Sequence, residues 1–260
     1  MERRGKWRLG ASLILLLLAS PAAAIVNTED TRVKEPEAGF SGQFSLAVAG
    51  QSGNTEKSST SLGGRLQWHY RPVTDFIVFN HDSGKTGGVR DTNRSFVHAR
   101  HIHELTPKLA WETFGQAEEN EFTRLSFRGL LGGGVRREAF RSDDGKLVST
   151  AGLGGFISRE ELDPLAGTTD AGVDTLVRGN FYFVVKYQLN ETVRLASTTY
   201  YQPATSDFRD YRVLEQATLH VNLTRRLDLK ISLDVAHDNR PPQLIEKTDT
   251  TYRTGIEFQF

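Results

Sequence analysis

The chain has 260 residues, with 32 basic and 32 acidic side chains and no cysteine. Balanced charge provides no strong signal for nucleic-acid binding or for a polybasic membrane surface. The lack of cysteine excludes disulfides and thiolate metal sites, so stability must come from hydrogen-bonded structure and packing.

Residues 1–24 have the three regions of a secretory signal peptide. Four basic residues lie within residues 1–8, the apolar run Leu13–Leu18 follows, and Ala22–Ala24 form an A-x-A cleavage pattern. A membrane-anchor helix would need about 20 apolar residues, and only about 15 precede the small residues. We therefore predict cleavage after Ala24. The mature chain would carry a net charge of −3, and residues 25–38 would form a short periplasmic segment before a barrel domain, residues 39–260.

Beyond this segment, apolar and polar residues alternate with a period of two, which is the spacing of a β-strand with one apolar face. Less regular strands are predicted near residues 75–82, 94–105, 108–117 and 146–158, which brings the total to about twelve. An even number fits a closed antiparallel barrel with both ends of the chain on one side of a membrane. The clearest apolar faces are Phe40, Phe44, Leu46 and Val48; Leu62, Leu66, Trp68 and Tyr70; Leu125, Phe127 and Leu131; Val177, Phe181, Phe183, Val185 and Tyr187; Val193 and Leu195; Ala217, Leu219, Val221 and Leu223; and Leu227, Leu229, Ile231, Leu233 and Val235.

Loop lengths alternate as well. Short turns are predicted at residues 71–75, 105–108, 188–191 and 224–226, and long loops at residues 50–59, 82–93, 159–174, 202–210 and 238–250. Short periplasmic turns and long outer loops are typical of outer-membrane barrels. A secreted β-sandwich or a lipocalin-like barrel is the alternative, because alternation alone does not say whether the apolar face meets lipid or a core. Strands near 9 to 11 residues long and aromatic residues near strand ends favour the membrane barrel.

The last strand is predicted from Tyr252 to the C-terminus, with Tyr252, Ile256, Phe258 and Phe260 on its apolar face. This ending resembles the assembly signal of bacterial outer-membrane barrels. The resemblance implies that periplasmic chaperones, the barrel assembly machinery and outer-membrane lipid are the partners of this chain. Nucleic acid is not expected among them.

The polar faces of these strands predict a charged lumen. Burying many charges costs several kcal/mol each unless water or opposite charge compensates them. The lumen is therefore either a narrow hydrated pore with a mild anion preference or a plug of salt bridges. The side chains assigned to it are Arg65, Arg124, Arg128, Arg178, Lys186, Arg194, Arg212, Lys230 and Arg253, against Glu112, Glu118, Asp228, Asp234 and Glu257.

A stretch with three histidines, His98, His101 and His103, is the one candidate for catalytic or metal chemistry. His101 and His103 share a strand face and could supply two metal ligands. No acidic or cysteine partner with ligand spacing accompanies them, and no catalytic triad is recognisable elsewhere. Lumen or rim imidazoles without a catalytic role are therefore the simpler interpretation, and we predict no enzyme activity, cofactor or metal.

Several short motifs occur together along the chain: Ser52–Thr55, Asn120–Phe122 with Arg128 and Gly132–Gly134, Asp210–Arg212, Pro241–Pro242, Lys247–Thr250 and Gly255–Phe260. Together they resemble the YdiY-like outer-membrane proteins, a family described as salt-stress-induced and catalogued as domain of unknown function 481. The resemblance covers residues 37–260 and implies an outer-membrane barrel of a Gram-negative bacterium, with no established activity.

The sequence therefore predicts an all-β, transmembrane, antiparallel up-and-down barrel of about twelve strands in the outer membrane. Its predicted function is that of a narrow passive pore with mild anion preference, linked to salt stress. The alternative is a non-conducting structural or binding barrel that acts through its outer loops.

Overall fold

The structure is a computed structural model that describes residues 38–53, 56–170 and 172–259. The predicted signal peptide, nearly all of the predicted periplasmic segment and Phe260 of the predicted assembly signal lie outside the described residues. The described chain forms twelve strands: β1 Gly39–Gln51, β2 Lys57–Tyr70, β3 Val73–Thr86, β4 Val89–Thr106, β5 Leu109–Asn120, β6 Leu125–Arg141, β7 Leu147–Leu162, β8 Gly172–Gln188, β9 Val193–Pro203, β10 Tyr211–Asn222, β11 Leu227–Asp238 and β12 Thr248–Gln259.

These strands form a closed barrel in which each strand pairs antiparallel with its neighbours in sequence, and β1 pairs with β12. The predicted all-β, up-and-down architecture and the count of twelve strands are confirmed. Closure leaves no free edge along most of the wall, which is what a sheet needs in lipid, where backbone groups find no water. One short 3-10 helix, Glu121–Thr123, lies between β5 and β6. No helix among the described residues is long and apolar enough to cross a membrane.

The seam between β1 and β12 is much shorter than the other pairings. Gln43, Phe44 and Ser45 pair with Gln259, Phe258 and Glu257, whereas β1 pairs with β2 over its whole length, from Gly39 to Gln51. The first residue of β1, Gly39, and the last residue of β12, Gln259, lie at the end of the barrel that carries the short turns, so the seam is closed at that end. Towards the long loops, the structure pairs no further described residues of β1 and β12.

The outer surface of the barrel is apolar, as the alternation predicts. Phe44, Leu46, Phe183 and Ile231 are all exposed on it. Aromatic side chains mark both rims: Trp68, Tyr70, Trp111 and Tyr187 lie near the short turns, and Tyr201, Tyr211 and Tyr252 lie towards the long loops. This is the pattern of a lipid-facing band between two interfaces.

Leu125 is an exception to the predicted apolar face, because it is buried with 6% of its surface exposed. The pairing of β5 with β6 shifts register between Glu118 and Asn120, and that of β6 with β7 shifts between Leu125 and Phe127. A shift by one residue moves a side chain to the other face of the sheet. Leu125 therefore points inward, while Phe127 and Leu131 face outward as predicted.

Several predicted long loops are shorter than expected, because the strands continue beyond the apolar band. The predicted loop 82–93 is only the turn Gly87–Gly88, whose two residues have φ of +59° and +79°. Such values suit a tight hairpin turn, and glycine adopts them without steric cost. The remaining long connections are residues 163–171, 204–210 and 239–247. At the opposite end, β6 extends to Arg141, so the turn there is residues 142–146.

Candidate functional site: the charged lumen

The inside of the barrel holds nearly all of the buried charge of the described chain. Fourteen charged side chains are buried, and the two signs are equally represented. They are Arg65, Arg100, Arg124, Arg128, Arg136, Arg178 and Arg212, and Asp82, Glu112, Glu118, Glu160, Asp228, Asp234 and Glu257. Because β-strand side chains alternate, the apolar outer band requires this polar interior in a membrane barrel.

Glu112, on β5, is the centre of one group of lumen side chains, here called the Glu112 cluster: Arg65, Phe76, Arg100, Glu112, Arg136 and Tyr182. The Glu112 carboxylate lies 3.4 Å from Arg100 Nη1 and 3.8 Å from Arg136 Nη1. It also accepts a 2.8 Å hydrogen bond from the Tyr182 hydroxyl on β8, three strands away. The Arg65 guanidinium lies 3.6 Å from the centre of the Phe76 ring, a cation–π contact. Two guanidinium groups thus lie beside the carboxylate, and the third, Arg65, shares the Phe76 ring with Arg100, which lies 5.8 Å from its centre.

Glu160, on β7, is the centre of a second group nearer the long loops. Arg212 donates two parallel hydrogen bonds to the Glu160 carboxylate, at 2.8 and 3.0 Å, and its Nε lies 2.8 Å from Asp238. Arg128 donates to the same carboxylate at 3.1 Å and to Glu118 at 2.6 Å. Bidentate arginine–carboxylate pairs are strong and geometrically specific. This Glu160 network therefore joins β5, β6, β7, β10 and β11 across the lumen.

Arg124 was predicted to lie in the lumen among the wall strands, and the structure places it at the outer mouth instead. It follows the 3-10 helix with a left-handed φ of +59°. Its guanidinium donates to the Asp163 and Gln243 carbonyls, at 3.0 Å each, and to the Asp170 carboxylate at 2.9 Å. Since Gln243 lies in the loop before β12, six strands from β5 and β6, this contact spans the mouth.

Asp170 completes this contact between loops. Its carboxylate also accepts a hydrogen bond from the Gln243 backbone N–H. The hydrogen bond from Gln243, followed by that from Arg124, holds the pKa of Asp170 below its usual value of 3.8. Nearby, Arg240 in the same loop donates to Asp207 at 2.7 Å, in the loop between β9 and β10. Three outer loops are therefore joined over the mouth.

The other predicted lumen charges occupy the barrel interior as follows. Arg65, Arg128, Arg178, Arg212, Glu112, Glu118, Asp228, Asp234 and Glu257 are buried, and Lys186, Arg194, Lys230 and Arg253 are partly buried. Arg178 is paired with Asp210 at 2.8 Å, and Arg253 forms an ion pair with Asp234. Near the short turns, ligand atoms of His220, Asp228 and Glu257 all lie within 4.8 Å of one another.

The three histidines singled out by sequence do not form a common site. His98 points into the lumen, where it stacks between Phe76 and Phe114 and contacts Gln116 at 3.0 Å. His101 and His103 lie on the opposite face, where both rings pack on Trp111. His101 also contacts Asp75 at 2.7 Å.

Sequence reasoning missed several lumen residues. Asp82 and Glu160 were assigned to loops, yet both lie on strands that extend beyond the apolar band and both are buried. Arg100 lies on a strand whose alternation is too irregular to phase by hydrophobicity. Arg136 lies on β6 beyond Leu131, the last apolar residue used to phase that strand. A usable signal exists for Glu160, since Phe156, Ser158 and Glu160 continue one face of β7 in steps of two.

Comparisons with solved structures give the fold of outer-membrane porins. The NanC porin, in a rhombohedral crystal form, is 12% identical with a TM-score of 0.50, over 85% of this chain and 99% of that chain. The KdgM porin, in complex with disordered oligogalacturonate, is 10% identical with a TM-score of 0.46, over 85% and 99%. The translocator domain of the autotransporter NalP from Neisseria meningitidis is 10% identical with a TM-score of 0.45, over 87% and 90%.

No curated protein matches this sequence. A family model described as "Protein of unknown function, DUF481" matches residues 44–260, which is most of the chain and the barrel from the middle of β1 onwards. With its twelve-stranded porin-like barrel and charged lumen, the chain belongs to this DUF481 family.

Proposed function

We propose that this barrel is a narrow passive pore of the outer membrane with a mild preference for anions. The observation that carries the proposal is the Glu112 cluster, in which Arg65, Arg100 and Arg136 are grouped with one carboxylate. Arginine side chains that line a pore favour anions over cations. Elsewhere in the lumen, positive and negative side chains are more evenly paired, so we assign the ion preference to the Glu112 cluster.

The cost of the buried charge supports a transport role. Replacing a buried ion pair by well-packed apolar residues is often neutral or stabilising, so a plug needs no charge. This lumen nevertheless retains thirteen buried charged groups, which are the fourteen named above without Arg124 at the mouth. A hydrated path for ions gives a reason for that retention which a purely structural lumen lacks.

Ion selectivity measured in a planar bilayer tests the proposal. The refolded mature chain should give discrete current steps, with a reversal potential in a salt gradient that indicates anions. Arg136→Gln should shift that potential towards cations, because it removes one positive charge from the Glu112 cluster. The matched control is Arg137→Gln, since Arg137 is the next residue of β6 and is exposed on the outer face. Equal shifts in both variants, or none in Arg136→Gln, would contradict the proposal.

A non-conducting barrel that acts through its outer loops is the second candidate. The contacts of Arg124 and Asp170 with Gln243, which join loops across the mouth, favour it. In that case the folded wild-type barrel would show no current. Shortening loop 239–247 would abolish a cellular phenotype while leaving the barrel folded on heat-modifiability gels.

We also propose that the chain is exported, cleaved after Ala24 and inserted with the help of periplasmic chaperones and the barrel assembly machinery. We further propose that it has no enzymatic activity and serves the envelope during salt stress. The family resemblance supports the salt-stress role. Slower growth of a deletion strain in high salt, restored by the wild-type gene, would support it. Equal growth of both strains at all salt concentrations would refute it.

A further inference from the structure

The short-turn end of the lumen contains a cluster of three potential metal ligands that the proposed pore does not use. They are His220 on β10, Asp228 on β11 and Glu257 on β12, here called the triad. All three are buried, with 1%, 5% and 5% of their surface exposed. One ligand atom from each lies within 4.8 Å of the other two.

The register of the sheet produces this convergence. Asp228 and Glu257 are direct partners in the pairing of β11 with β12, so their carboxylates point to the same side of the sheet. His220 lies on the adjacent strand β10, two positions before its end. Like charges directly opposite each other on neighbouring strands are destabilising. The charge of Arg194 acts on Asp228, so Glu257 is the carboxylate that still needs a cation close to it.

The basic side chains near the triad do not neutralise the Glu257 carboxylate. Arg194 and Lys230 are the residues paired with His220 on the two flanking strands. Arg194 has a buried Nε with no hydrogen-bond partner. Among the residues that the structure describes, the Glu257 carboxylate takes part in no ion pair or hydrogen bond, although it is 95% buried.

We propose that His220, Asp228 and Glu257 bind one divalent first-row transition-metal ion, of the Zn²⁺ class. Ligands on opposite sides of an ion with bonds of about 2.1 Å are about 4.2 Å apart, so the triad closes on an ion with small side-chain adjustments. An imidazole nitrogen with two carboxylate oxygens suits Zn²⁺ and its neighbours, whereas Ca²⁺ and Mg²⁺ prefer oxygen alone. The remaining coordination positions face the lumen and take water.

The position of the triad gives the ion a structural role. Glu257 pairs through its backbone with Ser45 in the short seam between β1 and β12. An ion held by the triad joins β10, β11 and β12 at the end of the barrel where that seam closes. Since binding to the folded state alone stabilises it, occupancy should protect the seam against unfolding.

Metal titration of the purified barrel tests this inference. The full mature chain, refolded in detergent with EDTA and then freed of chelator, is titrated with ZnCl₂ by calorimetry and unfolded thermally with and without Zn²⁺. We expect one saturable site per chain and a rise in melting temperature of about 5 °C at 100 times the dissociation constant. Glu257→Gln and His220→Ala should weaken binding at least about tenfold, since each removes one ligand.

The control is His237→Ala, which removes a histidine at the long-loop end that contacts Thr248. It should bind Zn²⁺ as the wild type does. If the triad variants do not fold, Co²⁺ added to the wild-type chain still gives a result, because coordination by one imidazole and two carboxylates produces a visible absorption band at one equivalent. The proposal would be overturned by no saturable binding, by no Co²⁺ band, or by unchanged binding in folded Glu257→Gln. In that case protonation or Lys230 would neutralise the carboxylates.

Discussion

Gly152 shows how closely the lumen side chains pack. A Cβ built at Gly152 on β7 would lie 2.1 Å from the ring of Tyr182 on β8. Real Cβ atoms do not come so close, so any larger residue must displace this ring. The Tyr182 hydroxyl would then lose its 2.8 Å hydrogen bond to Glu112. Because Gly152 has no side chain, the Tyr182 ring has the space it needs to reach Glu112.

We predict that Gly152→Ala destabilises the barrel by about 1–3 kcal/mol, the usual cost of overpacking a tight interior. Guanidinium unfolding from detergent micelles, followed by tryptophan fluorescence, measures the change. Gly115→Ala is the control, because a Cβ there meets its neighbours at 3.7 Å or more. The free energy of unfolding of Gly115→Ala should match that of the wild type. An equal decrease in both variants would contradict the role assigned to Tyr182.

Much of the lumen could be read from the sequence where the alternation is regular. Arg212, Asp228 and Asp234 lie on β10 and β11, whose apolar positions repeat every second residue, and all three point inward. Leu125 was assigned to the outer face and points inward, because register shifts in two pairings change its face and leave no mark in hydrophobicity. Arg124 was misplaced since a 3-10 helix interrupts the alternation just before it.

At the scale of elements, the outer loops are held together mainly through Arg124. Its guanidinium contacts Asp163, Thr168 and Asp170 in one loop and Gln243 in another. The sequence predicted these two connections as long loops, but it carried no signal that they meet. That contact depends on the closure of the barrel, which brings residues more than 100 positions apart within 3.0 Å.

We predict that Arg124→Asn loosens the loops 163–171 and 239–247 without unfolding the wall. Asparagine tolerates the left-handed backbone of this position, so the substitution removes the guanidinium and keeps the turn. Hydrogen exchange measured by mass spectrometry should be faster in both loops and unchanged in peptides from β10 and β11. Arg159→Gln, which removes an exposed arginine paired with Glu161, serves as the control. Unchanged exchange in Arg124→Asn would show that the loops hold without this contact.

The same loops should respond to acid only at low pH. Because the pKa of Asp170 is lowered in the folded state, its contribution to loop stability is fully present above 3.8, the usual value. It is lost as the pH falls through the lower, folded-state pKa. Exchange protection of loop 163–171, corrected for the intrinsic pH dependence of exchange, should therefore be constant from about pH 8 to pH 5 and should fall only below about pH 4. A fall in protection near neutral pH would contradict the assignment to Asp170.

At the scale of the whole molecule, the wall is closed by the short pairing of β1 with β12. The outward-facing residues Phe44 and Phe258 are direct partners there. Continuing the same register would place Val48 opposite Thr254, yet the structure does not pair these two residues. The alternation of the sequence predicts a closed barrel, but it does not predict how far each pairing extends, because that depends on the tilt and stagger of all twelve strands.

Cysteine substitution can test the extent of the seam, since the natural chain has no cysteine. We predict that Phe44→Cys with Phe258→Cys forms a disulfide readily under mild oxidation, because direct strand partners lie near disulfide distance. Val48→Cys with Thr254→Cys should form one at least about tenfold more slowly. Gel mobility with and without reductant reads both pairs. Equal rates would mean that the two strands pair along their full length.

The position of the seam also decides how the barrel yields to force. Backbone pairing between the first and last strands is confined to the short-turn end. When tension is applied through the outer loops, only the pairing at Gln43–Ser45 therefore holds the seam closed. The wall would part from the loop end downwards, and the tube would unroll into a sheet before any other pair of strands separates.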